Sequence, residues 1–265
     1  MLRLSTTLLA EGPKDSGATL VVGPSLGTAV TPLWQRCAEL LGRRWRVIGW
    51  DLPGHGYSTP TSEGFGVADL AEAVTEAVHS TGVTGRAWYA GVSVSGTVGL
   101  QLALDHPDDW AGFAIICSAA KIMDEQRWRE RAELVRRAGT PVMVSGSSKV
   151  WFAPGSIERD PDVATALLNS LQDADSESYS RVCEALGGFD ARERLSQLPA
   201  KLLVISGRHD GATPPDLGQM IADASESGHL HVIESAAHLA PAEAPQQVAD
   251  LLLDTTTWTR TSDEQ

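Results

Sequence analysis

The sequence predicts an α/β protein built around a mostly parallel sheet, and three observations predict it. Short runs rich in Val, Ile and Leu recur along the chain, longer stretches with helical spacing separate them, and several of the runs are apolar throughout rather than alternating. A strand that is apolar on both faces must be covered on both, and the crossover helices of βαβ units provide that cover.

Taken in order, MLRLSTTLLA reads as a first strand. It carries one Arg and is interrupted by Glu11, Gly12 and Pro13, which argues against a leader peptide. Further strands are predicted at Ala18–Val22, Arg46–Trp50, Ala87–Ala90, Gly112–Cys117, Lys201–Ser206 and His229–Glu234. Helical spacing covers Pro32–Leu41, Val67–His79, Gly96–Asp105 and Pro214–Ala224, with a closing helix at Gln246–Leu253. Between Lys121 and Leu198 charges cluster, Trp128, Trp151 and Phe152 appear, and helical patterning replaces the alternation. This predicts a core of residues 1–120 and 199–265 interrupted by a helical cap at 121–198. The tail after Leu253, TTTWTRTSDEQ, lacks apolar periodicity and is expected to fray.

Composition narrows the function. The 265 residues hold 21 basic and 34 acidic side chains, a formal net charge of −13. A sequence-blind nucleic-acid binder needs a basic face, so nucleic acid is an unfavoured partner. No apolar run reaches the roughly 18 residues that cross a bilayer, so no membrane partner is expected. With 42% hydrophobic residues and a mean hydropathy of −0.10, the chain has the balance of a globular protein. Cys37, Cys117 and Cys183 lack CxxC spacing, which offers no metal framework and suits the cytoplasm.

The segment Trp88-Tyr89-Ala90-Gly91-Val92-Ser93-Val94-Ser95-Gly96 passes from a predicted strand straight into a helix. A nucleophile at such a turn stands above the sheet, and the next N–H sits at a helix N-terminus, facing any oxyanion that forms. Close approach of strand and helix requires small residues two places either side. Gly91 and Ser95 fill those places around Ser93; centring on Ser95 matches less well. The same pattern also describes an ordinary small-residue turn, but two further loops weigh against that. Asp210 follows the strand Lys201–Ser206, and His238 follows the strand His229–Glu234. Asp210 before Gly211 is also a common turn signal. A serine, an acid and a histidine in that order, each just after a strand, nevertheless form the set that acyl transfer uses. The loop Val22–Thr28 lies after another strand, and the backbone N–H groups of Leu26 and Val94 are the expected oxyanion donors. His55 reads as a loop-shaping residue near the site, and His229 and His231 as structural.

The segments PSLGTAVTPLW, RVIGWDLPGHGYS, GVSVSG with LALDHP, SAAKI with WRERAELVRR, GRHDGATPP and ESAAHLAPAEAP together resemble the 3-oxoadipate enol-lactonases of the α/β-hydrolase superfamily. The resemblance runs from about Val21 to Leu253. It implies an α/β-hydrolase fold with a helical cap, Ser93, Asp210 and His238 as catalytic triad, and hydrolysis of an anionic lactone in the β-ketoadipate pathway with neither metal nor organic cofactor. Two positions depart from the family: Ser95, where glycine is usual, and Val94, where methionine is usual. An esterase of the same fold acting on a neutral ester, and a non-catalytic binding protein, are the competing readings. An anionic substrate demands local positive charge in a chain of net charge −13. From Lys121 to Arg137 six basic side chains face four acidic ones, a surplus of two. Arg131 is the expected carboxylate ligand there and Trp128 the expected pocket wall.

Overall fold

The computed structural model describes residues 2–13, 18–225, 228–254 and 258. Seven strands form one sheet: β1 (Thr6–Ala10), β2 (Thr19–Gly23), β3 (Arg46–Trp50), β4 (Trp88–Val92), β5 (Gly112–Ile116), β6 (Leu202–Gly207) and β7 (His229–Ile233), in the spatial order β1-β3-β2-β4-β5-β6-β7. Only β1 runs antiparallel, pairing with β3 through an irregularity between Leu8 and Ala10. The others are parallel, as the apolar runs predict. Every residue of β2, β5 and β6 is buried, whereas β7 at the edge is largely open, so uninterrupted hydrophobicity marks the middle of the sheet.

The crossover helices are α1 (Val30–Leu41), α2 (Val67–Ser80) and α3 (Val94–Asp105). After β5 the chain makes α4 (Glu125–Ala138), α5 (Val144–Trp151), α6 (Ser156–Arg159), α7 (Pro161–Asp173) and α8 (Ser176–Gly188) before returning to β6. Then follow α9 (Pro215–Ala224), α10 (Ala240–Glu243) and α11 (Pro245–Leu253). In the helical stretch, Asp124, Asp160 and Asp175 each accept a backbone N–H at a helix start. Such caps are worth about 1 kcal/mol apiece. Helix α4 lies along α8, joining the two ends of the stretch.

Two helices begin earlier than their spacing predicts. Helix α1 starts at Val30 rather than Pro32 because the Val30 N–H, orphaned at the helix end, donates to Asp51 Oδ1 at 2.7 Å from the loop after β3. Helix α3 starts at Val94 rather than Gly96 because one residue, Ser93, separates it from β4. The tail also departs from expectation. Most of it lies outside the described residues, but Trp258 is fully buried. Its ring meets Trp88 edge-on at 4.7 Å and Trp45 at 6.3 Å, beneath the N-terminal ends of β4 and β3. Among the described residues no helix is long and apolar enough to cross a membrane.

Removing an indole from a closed cluster leaves a void that neighbours refill only in part. Trp258→Ala is therefore expected to lower unfolding free energy by about 3–5 kcal/mol, read as a shift in the urea midpoint.

Candidate active site

The carboxyl ends of β2, β4, β5, β6 and β7 bring distant segments of the chain to one rim of the sheet. There Ser93 stands alone between β4 and α3 with φ 57° and ψ −116°, a conformation a non-glycine residue adopts only under constraint. The constraint is visible on both sides. The Ser93 N–H donates to Ile116 O at 2.9 Å, and its carbonyl accepts from Ser118 Oγ at 2.7 Å and the Thr97 N–H at 3.0 Å. Small flanking residues are a steric necessity: a Cβ on Gly91 would lie 2.1 Å from Ser95 O, and one on Gly96 2.4 Å from Ser118 Cβ. Ser95 itself is accommodated from across the turn. Its hydroxyl donates to Pro24 O at 2.5 Å, and its Cβ occupies the space that any side chain at Gly23 would need.

Asp210 and His238 meet behind this turn. His238 Nδ1 lies 2.9 Å from Asp210 Oδ2, and both residues are almost wholly buried. Asp210 Oδ1 accepts the Ala212 and Thr213 N–H groups at 2.8 and 2.9 Å, and Oδ2 also accepts Thr213 Oγ1 at 2.7 Å. Burial alone would raise the Asp210 carboxyl. The facing imidazole and the Thr213 donors outweigh it and hold the group below its ordinary range. A carboxylate only accepts, so Nδ1 is the ring nitrogen that donates to Asp210, and Nε2 is the one left without a protein partner among the described residues.

Ser25-Leu26-Gly27-Thr28 forms a tight turn closed by the Thr28 N–H to Ser25 O at 3.0 Å, with Gly27 at φ 86°. Thr28 Oγ1 occupies the Ser25 N–H at 3.0 Å. The Leu26 and Val94 N–H groups donate to no other described residue, which leaves two main-chain donors open beside Ser93.

Ser93, His238 and Leu26 line one cavity of about 270 Å³, whose other side is lined by the helical stretch. Trp128 forms part of its wall, fixed by its indole N–H to Ile122 O at 2.5 Å. Met143, Val150 and Trp151 supply further apolar surface. Arg131 also lines the cavity and stacks against the Trp128 ring, with its guanidinium carbon 5.5 Å from the ring centre. A serine held in this way, lining one cavity with an aspartate-bound histidine and with two unpartnered N–H donors in the adjoining turns, is equipped for attack on a carbonyl.

Residues 20–251 match the model of the alpha/beta hydrolase family. The chain belongs to that family. Among curated relatives it is 32% identical to 3-oxoadipate enol-lactonase 2 of Acinetobacter baylyi over 86% of this chain and 84% of the relative. It is 29% identical to 3-oxoadipate enol-lactonase 1 of the same organism over 89% and 87%. Its structure superposes on the crystal structure of the enol-lactonase from Burkholderia xenovorans LB400 with a TM-score of 0.88 at 27% identity, covering 96% of each chain. The family resemblance in the motifs therefore holds across nearly the whole chain.

In this alpha/beta hydrolase several residues support the site without a local motif to announce them. Ser118 braces the turn at Ser93. Glu243 accepts the Ala237 N–H at 2.8 Å, next to His238, and also the Ala153 N–H and Ser156 Oγ at 2.7 and 2.8 Å, so one carboxylate ties the histidine loop to the helical stretch. His55 lies outside the cavity lining. Its Nδ1 donates to Pro53 O at 2.9 Å and its ring stacks on Tyr179 at 6.0 Å. Burial lowers His55 from 6.5 to about 4, so it is neutral in the folded protein.

That shift sets a pH dependence. The unfolded chain protonates His55 near 6.5 while the folded chain resists to about 4, so the contribution is whole above 6.5 and is lost as pH falls to about 4. Acidification across this window is expected to remove about 3 kcal/mol of stability on account of His55. Denaturant unfolding at pH 7 and pH 4.5 should show a smaller loss for His55→Gln than for the wild type; equal losses would exclude the imidazole as the source.

Proposed function

We propose that this alpha/beta hydrolase opens the ring of 3-oxoadipate enol-lactone, giving 3-oxoadipate in the β-ketoadipate pathway of aromatic degradation in the cytoplasm. In this reading residues 121–198 act as the cap over the cavity. Ser93 Oγ attacks the lactone carbonyl while His238 Nε2 takes its proton, and Asp210 holds the imidazole in the required tautomer and supports its charge. The Leu26 and Val94 N–H groups donate to the tetrahedral oxyanion. Collapse breaks the ring C–O bond and expels an enolate, which gains a proton to become the ketone. Water deprotonated by His238 then cleaves the acyl-enzyme, returning the proton to Ser93.

The observation that carries the substrate class is Arg131. A cavity of about 270 Å³ suits a small ligand, and its apolar walls alone would equally suit a neutral ester. A guanidinium in that wall favours a lactone that bears a carboxylate.

Following the ultraviolet loss of freshly made enol-lactone tests the proposal. Wild-type protein is expected to turn it over, and Ser93→Ala to lose at least about 10⁴-fold in kcat. No turnover by the wild type would remove the substrate assignment; equal turnover by both proteins would remove Ser93 as nucleophile.

A further inference from the structure

The basic residues at the start of the helical stretch are not equivalent. Arg127 pairs with Asp124 at 3.4 Å, Arg129 with Glu125 at 2.6 Å, and Arg136 with Glu177 and Glu184 at 2.8 and 2.7 Å. Lys121 donates to Gly187 O at 3.0 Å. Arg131 differs. Among the described residues no carboxylate lies within ion-pair distance of it or of Arg137, and of the two only Arg131 lines the cavity. Its Nε and Nη2 both donate to one neutral atom, Tyr179 Oη, the former at 2.9 Å. The rings of Trp128 and Tyr179 lie 5.5 and 5.6 Å from its guanidinium carbon. The Nη1 edge is the part this fork leaves unengaged.

Resting on the lactonase reading above, we propose that Tyr179 is a specificity-determining positioning residue: its hydroxyl aims the Arg131 guanidinium into the cavity without cancelling its charge, so that the enzyme selects lactones bearing a carboxylate over neutral ones. An ion-pairing carboxylate at position 179 would hold the fork equally well, but would neutralise it before a ligand arrived. A hydroxyl fixes the geometry and leaves the positive charge uncompensated, and a half-buried cation in that state gains most when an anion completes it. The surroundings keep the arrangement neutral apart from Arg131. Burial pushes the Tyr179 hydroxyl up to about 12, so it does not ionise. Behind it stacks the imidazole of His55, itself uncharged. Tyr179 is fully buried on α8 and Arg131 sits on the facing α4, so helix packing fixes the distance between them.

The test compares two lactones with the same unsaturated ring: 3-oxoadipate enol-lactone, and α-angelica lactone, which carries a methyl group where the first has its carboxymethyl group. Wild type, Tyr179→Phe and Arg131→Met are assayed on both. The wild type is expected to favour the anionic lactone, and Tyr179→Phe to reduce that preference in kcat/KM by about tenfold, chiefly through KM. Arg131→Met should reduce it further. A purely structural role for Tyr179 would lower both rates alike and leave the ratio in place, which would overturn the proposal, as would an unchanged preference in Arg131→Met. If the wild type turned over neither lactone, the lactonase reading would fail separately. Calorimetric titration with adipate then decides: weaker binding by Tyr179→Phe than by the wild type supports the proposal, and equal binding, or none by the wild type, overturns it.

Discussion

The close approach of β4 and α3 is the constraint on which the rest of this site depends. With the carbonyl of Ser95 pressed against Gly91, the chain has a single residue in which to turn from strand to helix, and that residue is forced to positive φ. Strain of this kind costs about 1–3 kcal/mol and persists only where neighbours over-determine it. Here they do so through Ile116, Ser118 and Thr97, which means that β5 and the loop beyond it are part of the mechanism of presentation. The histidine arrives from the far side of the sheet, where Cys117 Sγ contacts Ala237 O at 3.4 Å and Glu243 grips the adjacent N–H. Ser93 and His238 are thus positioned by strand order rather than by proximity in the chain.

Electrostatics is organised by a comparable economy. The chain as a whole is strongly acidic, and most cations near the cavity are satisfied by surface carboxylates, where exposed pairs are worth little. What distinguishes the cavity is a single cation held by a phenol and two aromatic faces. A count of charges along the sequence finds a surplus in this region, but the surplus is less informative than which of the side chains without an acid beside it turns into the cavity.

Much of the fold is legible in the sequence because burial on both faces leaves a continuous trace. The strands β2, β4, β5 and β6 read as apolar runs for that reason, and the loops carrying Ser93, Asp210 and His238 can be placed because each begins where a run ends. What is not legible depends on partners far away in the chain. The first turn of α1 is set by Asp51, and Trp258 is packed against Trp45 and Trp88. Tyr179 and Glu243 act through atoms 48 and 90 residues distant, with no motif around them. Arg131 and Trp128 stand between these cases: their helix shows in the periodicity, but which of its arginines faces inward follows only from how α4 lies on α8.

The serine at position 95 has a consequence for how this turn can change over generations. A side chain at Gly23 would meet Ser95 Cβ at 2.5 Å, so the two positions share one volume. Exchanging Ser95 for glycine empties that volume and leaves Gly23 undisturbed. Enlarging Gly23 first drives a methyl group into the serine. The two substitutions are therefore ordered: glycine at 95 has to come before a larger residue at 23, and that residue would still have to displace the buried Trp50 indole, whose Nε1 lies 2.8 Å from the new Cβ.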